Sequence, residues 1–243
     1  MIPIKTEQEI EKMRQGGKIL AGIMEQLKKE VKPGKDVREI DKLAESLFFK
    51  YGRPSFKGYN DFPASICVSL NQEVVHAVPS KRIIKSGDLV SLDAGLFYQG
   101  FHTDMAVTLT AGLNEKFSDL IDTAEQAFWK AFKEIKEGMF FGDLSSIIEE
   151  YVEQRGFTVL RNLCGHGIGR ELHEEPRIAN FKEEGTMQIK KGMVFCLEPI
   201  IGDGEWEIEK KDFAYVTKDN SFSTHYEHTV ALTSKGPEVL TAF

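Results

Sequence analysis

The segment 88–110, DLVSLDAGLFYQGFHTDMAVTLT, constrains the fold of this chain more than any other feature. Both of its halves are rich in Val, Leu, Phe and Thr, which is typical of strands. The pattern predicts a β-hairpin with long apolar arms and a tip near Tyr98-Gln99-Gly100. Each arm nevertheless contains an acidic residue, Asp93 in the first and Asp104 in the second. A carboxylate inside such an arm needs a partner if the arm is buried.

The position of the turn predicts how these two acids face each other. With the turn centred between Tyr98 and Gln99, Asp93 and Asp104 stand directly opposite each other on one face. Carboxylates facing each other at about 5 Å destabilise a sheet unless a positive charge lies between them. A single aspartate of this kind is more often a turn or edge residue that points to water. The opposed register favours a pair of acids around a cation.

Two glutamates repeat the pattern near the end of the chain. Glu198 ends the strand-like run MVFCLEP (193–199), and Pro199 restricts it to an extended conformation. Glu227 lies within HYEHTVALT (225–233), a second run that is typical of a strand. Either glutamate alone would more often be a residue at the rim of the protein. Together with the two aspartates, they predict a cluster of acids.

The segment CGHGIGRELHEEP (164–176) holds a histidine where the backbone is least regular. Three glycines surround His166 and allow the chain to fold tightly beneath its ring. The helical zinc motif H-x-x-x-H does not apply, because His173 lies seven positions away and the glycines break a helix. A lone loop histidine is most often a polar surface residue, but four unpaired acids elsewhere favour a ligand.

This residue set is suited to divalent metal ions. Two Asp, two Glu and one neutral His are donors that hard or borderline cations accept, and four negative charges balance two divalent ions. Two ions about 3.5–4 Å apart lower the pKa of water between them and stabilise charge during amide hydrolysis. His76 and His173 remain as donors to a carbonyl or tetrahedral oxygen. The predicted metal ligands are Asp93, Asp104, His166, Glu198 and Glu227.

Helix signals predict two related halves within one domain spanning 1–243. A capping box at Thr6 and Glu9 begins a first helix that ends before Pro33-Gly34, and Asp36 caps a second that ends at Gly52. A third helix is expected from near Asn114 to Gly138, and Asp143 is expected to cap a fourth that ends at Gly156. β-Rich runs at 66–70 and 157–162 follow the two helix pairs. We therefore expect halves of roughly 1–110 and 111–243 that share one core.

Composition excludes several classes of function. The chain has 243 residues, 41% hydrophobic and 28% charged, as in an ordinary globular protein. A formal charge of −7 disfavours binding to nucleic acid or to an anionic membrane. The three cysteines form no C-x-x-C pair and indicate a reducing compartment, so we expect a cytoplasmic protein. No signal peptide is expected, because MIPIKTEQEI lacks an apolar core of 7–15 residues, and no membrane span is expected, because no apolar window approaches 18 residues.

The ordered set of motifs resembles the methionine aminopeptidases. The matching residues are Asp93 and Asp104, GHGIG at His166, HEEP at His173, LEP at Glu198 and YEHT at Glu227, and the resemblance covers nearly the whole chain. These enzymes are pita-bread metallopeptidases, a group that includes prolidases, aminopeptidase P and the non-metal creatinases. The resemblance implies an α+β pita-bread fold, in which a pseudo-twofold, curved antiparallel β-sheet is flanked by helices.

The resemblance also implies roles for the site residues. Asp93 would bind one metal ion, His166 and Glu198 the other, and Asp104 and Glu227 would bridge them. In the family mechanism a metal-bridging hydroxide attacks the first peptide bond, and the residue matching Glu198 shuttles the proton. The residues matching His76 and His173 steady the substrate and the intermediate. The two ions could be Co, Mn, Fe or Zn, since this ligand set accepts several metals.

The same resemblance implies a substrate pocket, in which several residues depart from the family pattern. The positions that match the family's methionine pocket are Tyr59, Phe62, Cys67, His76, His173, Leu172 and Phe213, where Leu172 and Phe213 replace a common aromatic residue and a common tryptophan. Val75 and Ala77 around His76, and Thr103 beside Asp104, also depart from the family pattern and could alter pocket width. Phe and Leu at such positions are also ordinary core residues.

The implied activity is removal of the initiator methionine from nascent polypeptides by a cytoplasmic monomer, with the ribosome as a candidate place of action. Glu227-His228-Thr229 and the lack of an extension resemble the short type I enzymes. Two alternatives remain open: an exopeptidase for Xaa-Pro substrates, and an inactive pita-bread protein that binds a partner. The presence of all five ligands disfavours the second alternative. No direct contact with nucleic acid or membrane is expected.

Overall fold

The structure, a computed structural model, describes residues 2–113 and 115–242. Its helices are α1 Glu7–Lys28, α2 Val37–Phe48, α3 Ser118–Glu134 and α4 Phe141–Gln154. The first strands are β1 Arg53–Pro54, β2 Cys67–Leu70, β3 Glu73–Val75, β4 Leu89–Tyr98, β5 Phe101–Thr110, β6 Thr158–Val159, β7 Cys164–Gly167 and β8 Glu174–Ala179. The remaining strands are β9 Val194–Leu197, β10 Ile200–Gly202, β11 Ile208–Lys211, β12 Ala214–Thr217, β13 Ser223–His225, β14 Glu227–Thr233 and β15 Gly236–Val239.

The helices begin largely where the sequence predicts. Thr6 and Glu9 form the expected capping box at α1, and Asp36 accepts a hydrogen bond from the Arg38 amide at α2. One face of α1 is apolar and buried, with Ile10, Met13 and Leu20 among its residues, and the helix lies against β4 and β5. Helix α2 ends at Phe48, before the predicted Gly52. Helix α3 begins at Ser118, and Asn114, where the sequence places its start, lies outside the described residues.

The predicted cap of α4 is wrong. Asp143 lies inside the first turn, and Phe140 occupies the cap position without a side-chain hydrogen bond. The Gly142 amide instead donates to the Thr186 hydroxyl at 2.8 Å, so a residue distant in the chain satisfies this helix end. Sequence spacing cannot reveal such a contact, because the two residues are brought together only by the fold.

One large antiparallel sheet dominates the structure. Its central order is β1-β4-β5-β14-β9-β7-β8, with β2 also paired to β4 and β15 to β14. Pairing of β5 with β14 joins the first half of the chain to the second within the same sheet. Two three-stranded sheets, β13-β10-β6 and β11-β12-β3, complete the β-structure of the described residues. Helices pack on an antiparallel sheet, as the resemblance implies for an α+β fold.

The hairpin has its predicted arms but not its predicted register. Its tip is the two-residue turn Gln99-Gly100, in which both residues have positive φ, and Tyr98 pairs with Phe101. Asp93 therefore pairs with Ala106, and Asp104 with Gly95. The two aspartates lie diagonally on one face rather than directly opposite each other. The predicted turn centre was one residue too early, because glycine accommodates positive φ at the second turn position.

The predicted strand 225–233 is divided between two sheets. His225 ends β13 and pairs with Ile200, whereas Glu227 begins β14 in the large sheet. The chain changes sheets at Tyr226, and this change brings His225 and Glu227 to the same region. No helix within the described residues is long and apolar enough to cross a membrane.

Candidate metal centre

Five neighbouring strands of the large sheet position the five predicted metal ligands. Asp93 lies on β4, Asp104 on β5 and His166 on β7. Glu227 begins β14, and Glu198 directly follows the last residue of β9. The strand order β4-β5-β14-β9-β7 makes these elements consecutive neighbours. Residues that are distant in the sequence are thus brought together by strand pairing alone.

The register aligns the acids around a small residue. Cys67 pairs with Asp93, Asp93 with Ala106, and Ala106 with Glu227, so these four residues form one row across the sheet. Paired residues of an antiparallel sheet point to the same face, and Ala106 carries only a methyl group. Asp104, two positions from Ala106, shares that face and fills part of the space. Ala106 thereby leaves room between the carboxylates of Asp93 and Glu227.

Side-chain donors converge in three overlapping groups. Within each group one donor atom per residue lies within 4.8 Å of the others. The groups are Asp93, Asp104 and Glu227; Glu198, His225 and Glu227; and His166, Cys196 and Glu227. Glu227 belongs to all three, which agrees with a central position among the ligands. We refer to Asp93, Asp104, Glu198 and Glu227 as the acid cluster.

The acid cluster is buried, and several of its carboxylate oxygens lack a hydrogen-bond partner. Its members are 2–7% exposed, and Asp93 Oδ1, Glu198 Oε1 and Glu227 Oε1 have no hydrogen-bond partner among the described residues. Burial raises the pKa of Asp93 to about 6. Burial and the neighbouring acids raise the pKa values of the other three carboxyls well above their usual range. Buried carboxylates without partners cost free energy, and bound cations would offset this cost.

The ring orientation and the neutral charge of His166 suit a metal ligand. Its Nδ1 lies 2.9 Å from the Gly167 carbonyl oxygen, so Nδ1–H donates there and Nε2 keeps its lone pair. Nε2 lies 3.7 Å from Glu198 Oε1, on the side of the acid cluster. Burial lowers the pKa of His166 to about 3, which keeps the imidazole neutral. The oxygen and nitrogen donors of this centre therefore fit divalent metal ions.

Glycines explain how His166 reaches this position. A Cβ atom at Gly165 would lie 2.3 Å from the Cys196 carbonyl oxygen, and one at Gly167 would lie 2.2 Å from that of Glu175. Any larger residue would collide with backbone on either side of His166. The glycine-rich segment is therefore a strand packed closely between β9 and β8, rather than an open loop.

A cavity of about 440 Å³ opens above these donors. It is lined by every predicted site residue: Tyr59, Phe62, Cys67, His76, Asp93, Asp104, His166, Leu172, His173, Glu198, Phe213 and Glu227. Phe62 packs edge-to-face against both Phe56 and Phe213, with ring centroids 6.5 and 5.6 Å apart. The cavity therefore combines an aromatic wall with a polar floor.

Two further histidines face the cavity from outside the acid cluster. His173 lies with its ring centroid 4.2 Å from that of His166, and its Nδ1 lies 3.0 Å from the Tyr59 hydroxyl. His76 follows β3 with a φ of 59°, and its ring contacts Tyr215. A positive φ is costly in a residue with a Cβ and is often found at functional sites.

Sequence reasoning missed two residues of this centre, His225 and Cys196. His225 Nε2 lies 3.6 Å from Glu198 Oε2 and 3.4 Å from Glu227 Oε2. Cys196 belongs to a donor group with His166 and Glu227, but burial raises the pKa of its thiol well above the usual range. His225 is two residues from Glu227, a spacing that in a continuous strand would have indicated a shared face.

Comparison with known proteins identifies the family. Residues 11–234 match the model of metallopeptidase family M24. The chain belongs to this metallopeptidase family. Its predicted resemblance to the pita-bread metallopeptidases is thereby confirmed.

Two of the similar proteins match this chain over nearly their whole length, and a third matches it in part. A methionine aminopeptidase of Clostridium acetobutylicum is 42% identical over 99% of both chains. The crystal structure of a methionine aminopeptidase from Thermotoga maritima has a TM-score of 0.96, 42% identity and complete coverage of both chains. A prolidase from Pyrococcus furiosus has a TM-score of 0.82 and 27% identity, but only 65% of its chain is covered. These matches confirm the predicted pita-bread fold.

Proposed function

We propose that this chain is an aminopeptidase that removes N-terminal methionine from peptides and nascent proteins. The observation that carries the proposal is the acid cluster with His166 at the floor of an aromatic-walled cavity. Relatives that match along their whole length, including those of Clostridium acetobutylicum and Thermotoga maritima, are methionine aminopeptidases. The prolidase match covers 65% of that longer chain, which favours the methionine enzymes over Xaa-Pro peptidases.

The cavity wall would bind the methionine side chain. Phe62 and Cys67 are buried and Phe213 is half-exposed at 37%, so the wall runs from the sheet towards solvent. Thioether sulfur makes favourable contacts with aromatic rings, and an unbranched side chain fits an apolar slot. Tyr59, Leu172 and Phe213 would set the width of this pocket.

Two divalent ions would be held by the five donors, Asp93 on one, His166 and Glu198 on the other, with Asp104 and Glu227 shared. When bound, such ions polarise a peptide carbonyl and lower the pKa of water. The donor set accepts Co, Mn, Fe or Zn, and supply in the cell decides among them. Four negative charges against two divalent ions support this number of ions.

The chain's own side chains would perform the remaining steps. Glu198, buried and with a raised pKa, can accept a proton at Oε1 and return it to the leaving amine. His173 lines the cavity and is held through its Nδ1 by Tyr59, so its Nε2–H would be free to donate to the substrate carbonyl oxygen. His76 also lines the cavity and would hold the substrate there.

The substrates would be the N-termini of nascent polypeptides in the cytoplasm, at or near the ribosome, and the protein would act as a monomer. The three free cysteines support a reducing compartment. The net charge of −7 argues against direct contact with nucleic acid.

Peptide hydrolysis tests the proposal. Protein loaded with Mn²⁺, Fe²⁺ or Co²⁺ is incubated with Met-Ala-Ser and with an Ala-Pro peptide, and released amino acids are quantified. We expect methionine release only, its loss after chelation, and a loss of at least about 100-fold in Asp104→Asn. Asp36→Asn is the matched control, because Asn caps a helix as well as Asp and Asp36 lies outside the cavity. Cleavage of Ala-Pro, or an active Asp104→Asn, would contradict the proposal.

A further inference from the structure

We propose that His225 is a positioning residue of the metal centre, whose Nε2–H holds the carboxylates of Glu198 and Glu227. The inference rests on the proposed function, because those glutamates are the proposed ligands. His225 is outside the ligand set that the sequence motifs indicate, and it is distant from His166 in the chain.

The contacts place His225 between the two glutamates. Its Nε2 is 3.4 Å from Glu227 Oε2 and 3.6 Å from Glu198 Oε2, and all three side chains are less than 10% exposed. A movement of about half an ångström brings either oxygen to hydrogen-bond distance. Neither ring nitrogen has another hydrogen-bond partner among the described residues. The buried imidazole thus has the two carboxylates as its polar neighbours.

Backbone geometry holds His225 at this point. It ends β13 and pairs with Ile200, two residues after Glu198, while Glu227 begins β14 two residues later. The Thr108 hydroxyl accepts a hydrogen bond from the His225 amide and donates one to its carbonyl oxygen, at 2.9 and 3.0 Å. Because both the amide and the carbonyl group of His225 are held, its side chain can position neighbouring groups without moving.

The ring nitrogen that carries the proton decides whether His225 donates to the ligands or binds a metal ion itself. A histidine that binds metal through Nε2 must carry its proton on Nδ1, as His166 does towards the Gly167 carbonyl. In His225 that tautomer would leave a buried Nδ1–H without an acceptor, which is unfavourable. The tautomer with the proton on Nε2 places the donor opposite two carboxylate oxygens. The geometry therefore favours donation to the ligands over direct coordination.

Hydrogen bonds from His225 would hold the carboxylates of Glu198 and Glu227 more rigidly. Outer contacts that orient a ligand commonly change metal affinity by about 10–100-fold when they are removed. His225→Leu removes the donor, whereas His225→Gln keeps an N–H near the same position. Thr224→Val is the matched control, because Thr224 is a buried residue of the same strand whose hydroxyl also lacks a partner.

Two measurements test the proposal. Calorimetric titration of chelator-treated protein with Mn²⁺ should give a Kd about 10–100-fold higher in His225→Leu, and values within about threefold of wild type in His225→Gln and Thr224→Val. X-ray absorption of the Co²⁺-loaded wild type and His225→Gln proteins should give the same number of imidazole ligands per metal. The second measurement needs only the conservative variant, so it remains decisive if His225→Leu does not fold.

Equal Mn²⁺ affinity in His225→Leu and wild type would overturn the role of His225 while leaving the proposed function intact. A loss of one imidazole ligand in His225→Gln would also overturn it, because His225 would then be a direct ligand. A wild-type protein that bound no divalent ion would overturn the proposed function itself.

Discussion

At the scale of single residues, Asp93 illustrates the cost of the acid cluster. It is 7% exposed, and burial raises its pKa to about 6. An unfolded aspartate has a pKa of about 4, so between pH 4 and pH 6 the folded chain binds this proton more tightly than the unfolded chain. The contribution of Asp93 to the stability of the metal-free protein is therefore lost as pH rises through this window.

Replacing Asp93 with asparagine should remove this pH dependence. In the presence of chelator, the free energy of unfolding of Asp93→Asn relative to wild type should rise by about 2–3 kcal/mol between pH 4 and pH 7. Urea unfolding at a series of pH values measures the difference. Asp36→Asn is the control, because Arg38 lowers the pKa of Asp36 to about 2, so its contribution to stability changes little between pH 4 and pH 7 and is lost mainly below pH 4. A pH-independent difference for Asp93→Asn would contradict the account.

Most residues that line the candidate site could be found from the sequence, and the failures of the sequence predictions have physical causes. The acids could be found because carboxylates are conspicuous inside apolar strand patterns. The predicted opposition of Asp93 and Asp104 was wrong, because the register depends on a turn whose centre lies at Gln99-Gly100. His225 was missed although it lies two residues from Glu227, because its contact with Glu198 depends on the pairing of β13 with β10, which the local sequence does not indicate.

At the scale of elements, the segment that carries His173 is held by the N-terminal arm. Lys5 Nζ lies 2.5 Å from Glu174 Oε2, and both side chains are less than 10% exposed. Glu174 Oε1 accepts hydrogen bonds from the backbone amides of Arg170 and Glu171. Because Glu174 directly follows His173, this ion pair fixes the turn between β7 and β8 in which His173 stands.

Loss of the Lys5 charge should therefore affect catalysis more than metal binding. Lys5→Met leaves a buried carboxylate unpaired, and we expect a destabilisation of about 3–5 kcal/mol and a fall in kcat. Affinity for Mn²⁺ should stay within about threefold, because no ligand of the acid cluster is touched. Lys5→Arg should recover part of the activity, and Lys18→Met, an exposed lysine of α1, is the control. Thermal unfolding, peptide hydrolysis and calorimetry separate these effects; an unchanged kcat would exclude the positioning role.

Two glycines of α1 provide a matched test of packing. A Cβ atom at Gly17 would lie 2.2 Å from the Leu240 carbonyl oxygen, whereas one at Gly22 would meet nothing within 4 Å. Gly17→Ala should destabilise the protein by about 1–3 kcal/mol, because α1 must move away from the C-terminal segment. Gly22→Ala should stabilise it by about 0.5–1 kcal/mol through helix propensity alone. Equal effects in chemical denaturation would contradict this packing.

Elements with local signals were predicted best. The Thr6–Glu9 capping box requires only residues three apart, and α1 begins there. The start of α4 depends on Thr186, which lies more than forty residues from Gly142 in the chain. The capping rule uses only nearby residues, so its assignment of Asp143 as the N-cap was wrong. The local sequence therefore predicts where a helix begins only when the capping residue belongs to the same segment of the chain.

At the scale of the whole molecule, one cluster of buried residues draws on both of the halves that we expect to form a single domain. A single cluster of buried residues includes Leu92 and Met105 from the first half and Phe128 and Phe195 from the second. We therefore expect one cooperative unfolding transition for the domain 1–243, with coincident curves from fluorescence and circular dichroism. Two separated transitions would indicate that the halves 1–110 and 111–243 are independent domains.

The central claim is that the acid cluster is stable because divalent cations compensate it. Raised carboxyl pKa values mean that cation binding must displace protons. The most direct measurement is calorimetric titration of chelator-treated protein with Mn²⁺ at pH 6.5 in buffers of different ionisation enthalpy. We expect binding with net proton release in wild type and at least about tenfold weaker binding in Asp104→Asn. Absence of binding, or equal affinity in the two proteins, would contradict the account.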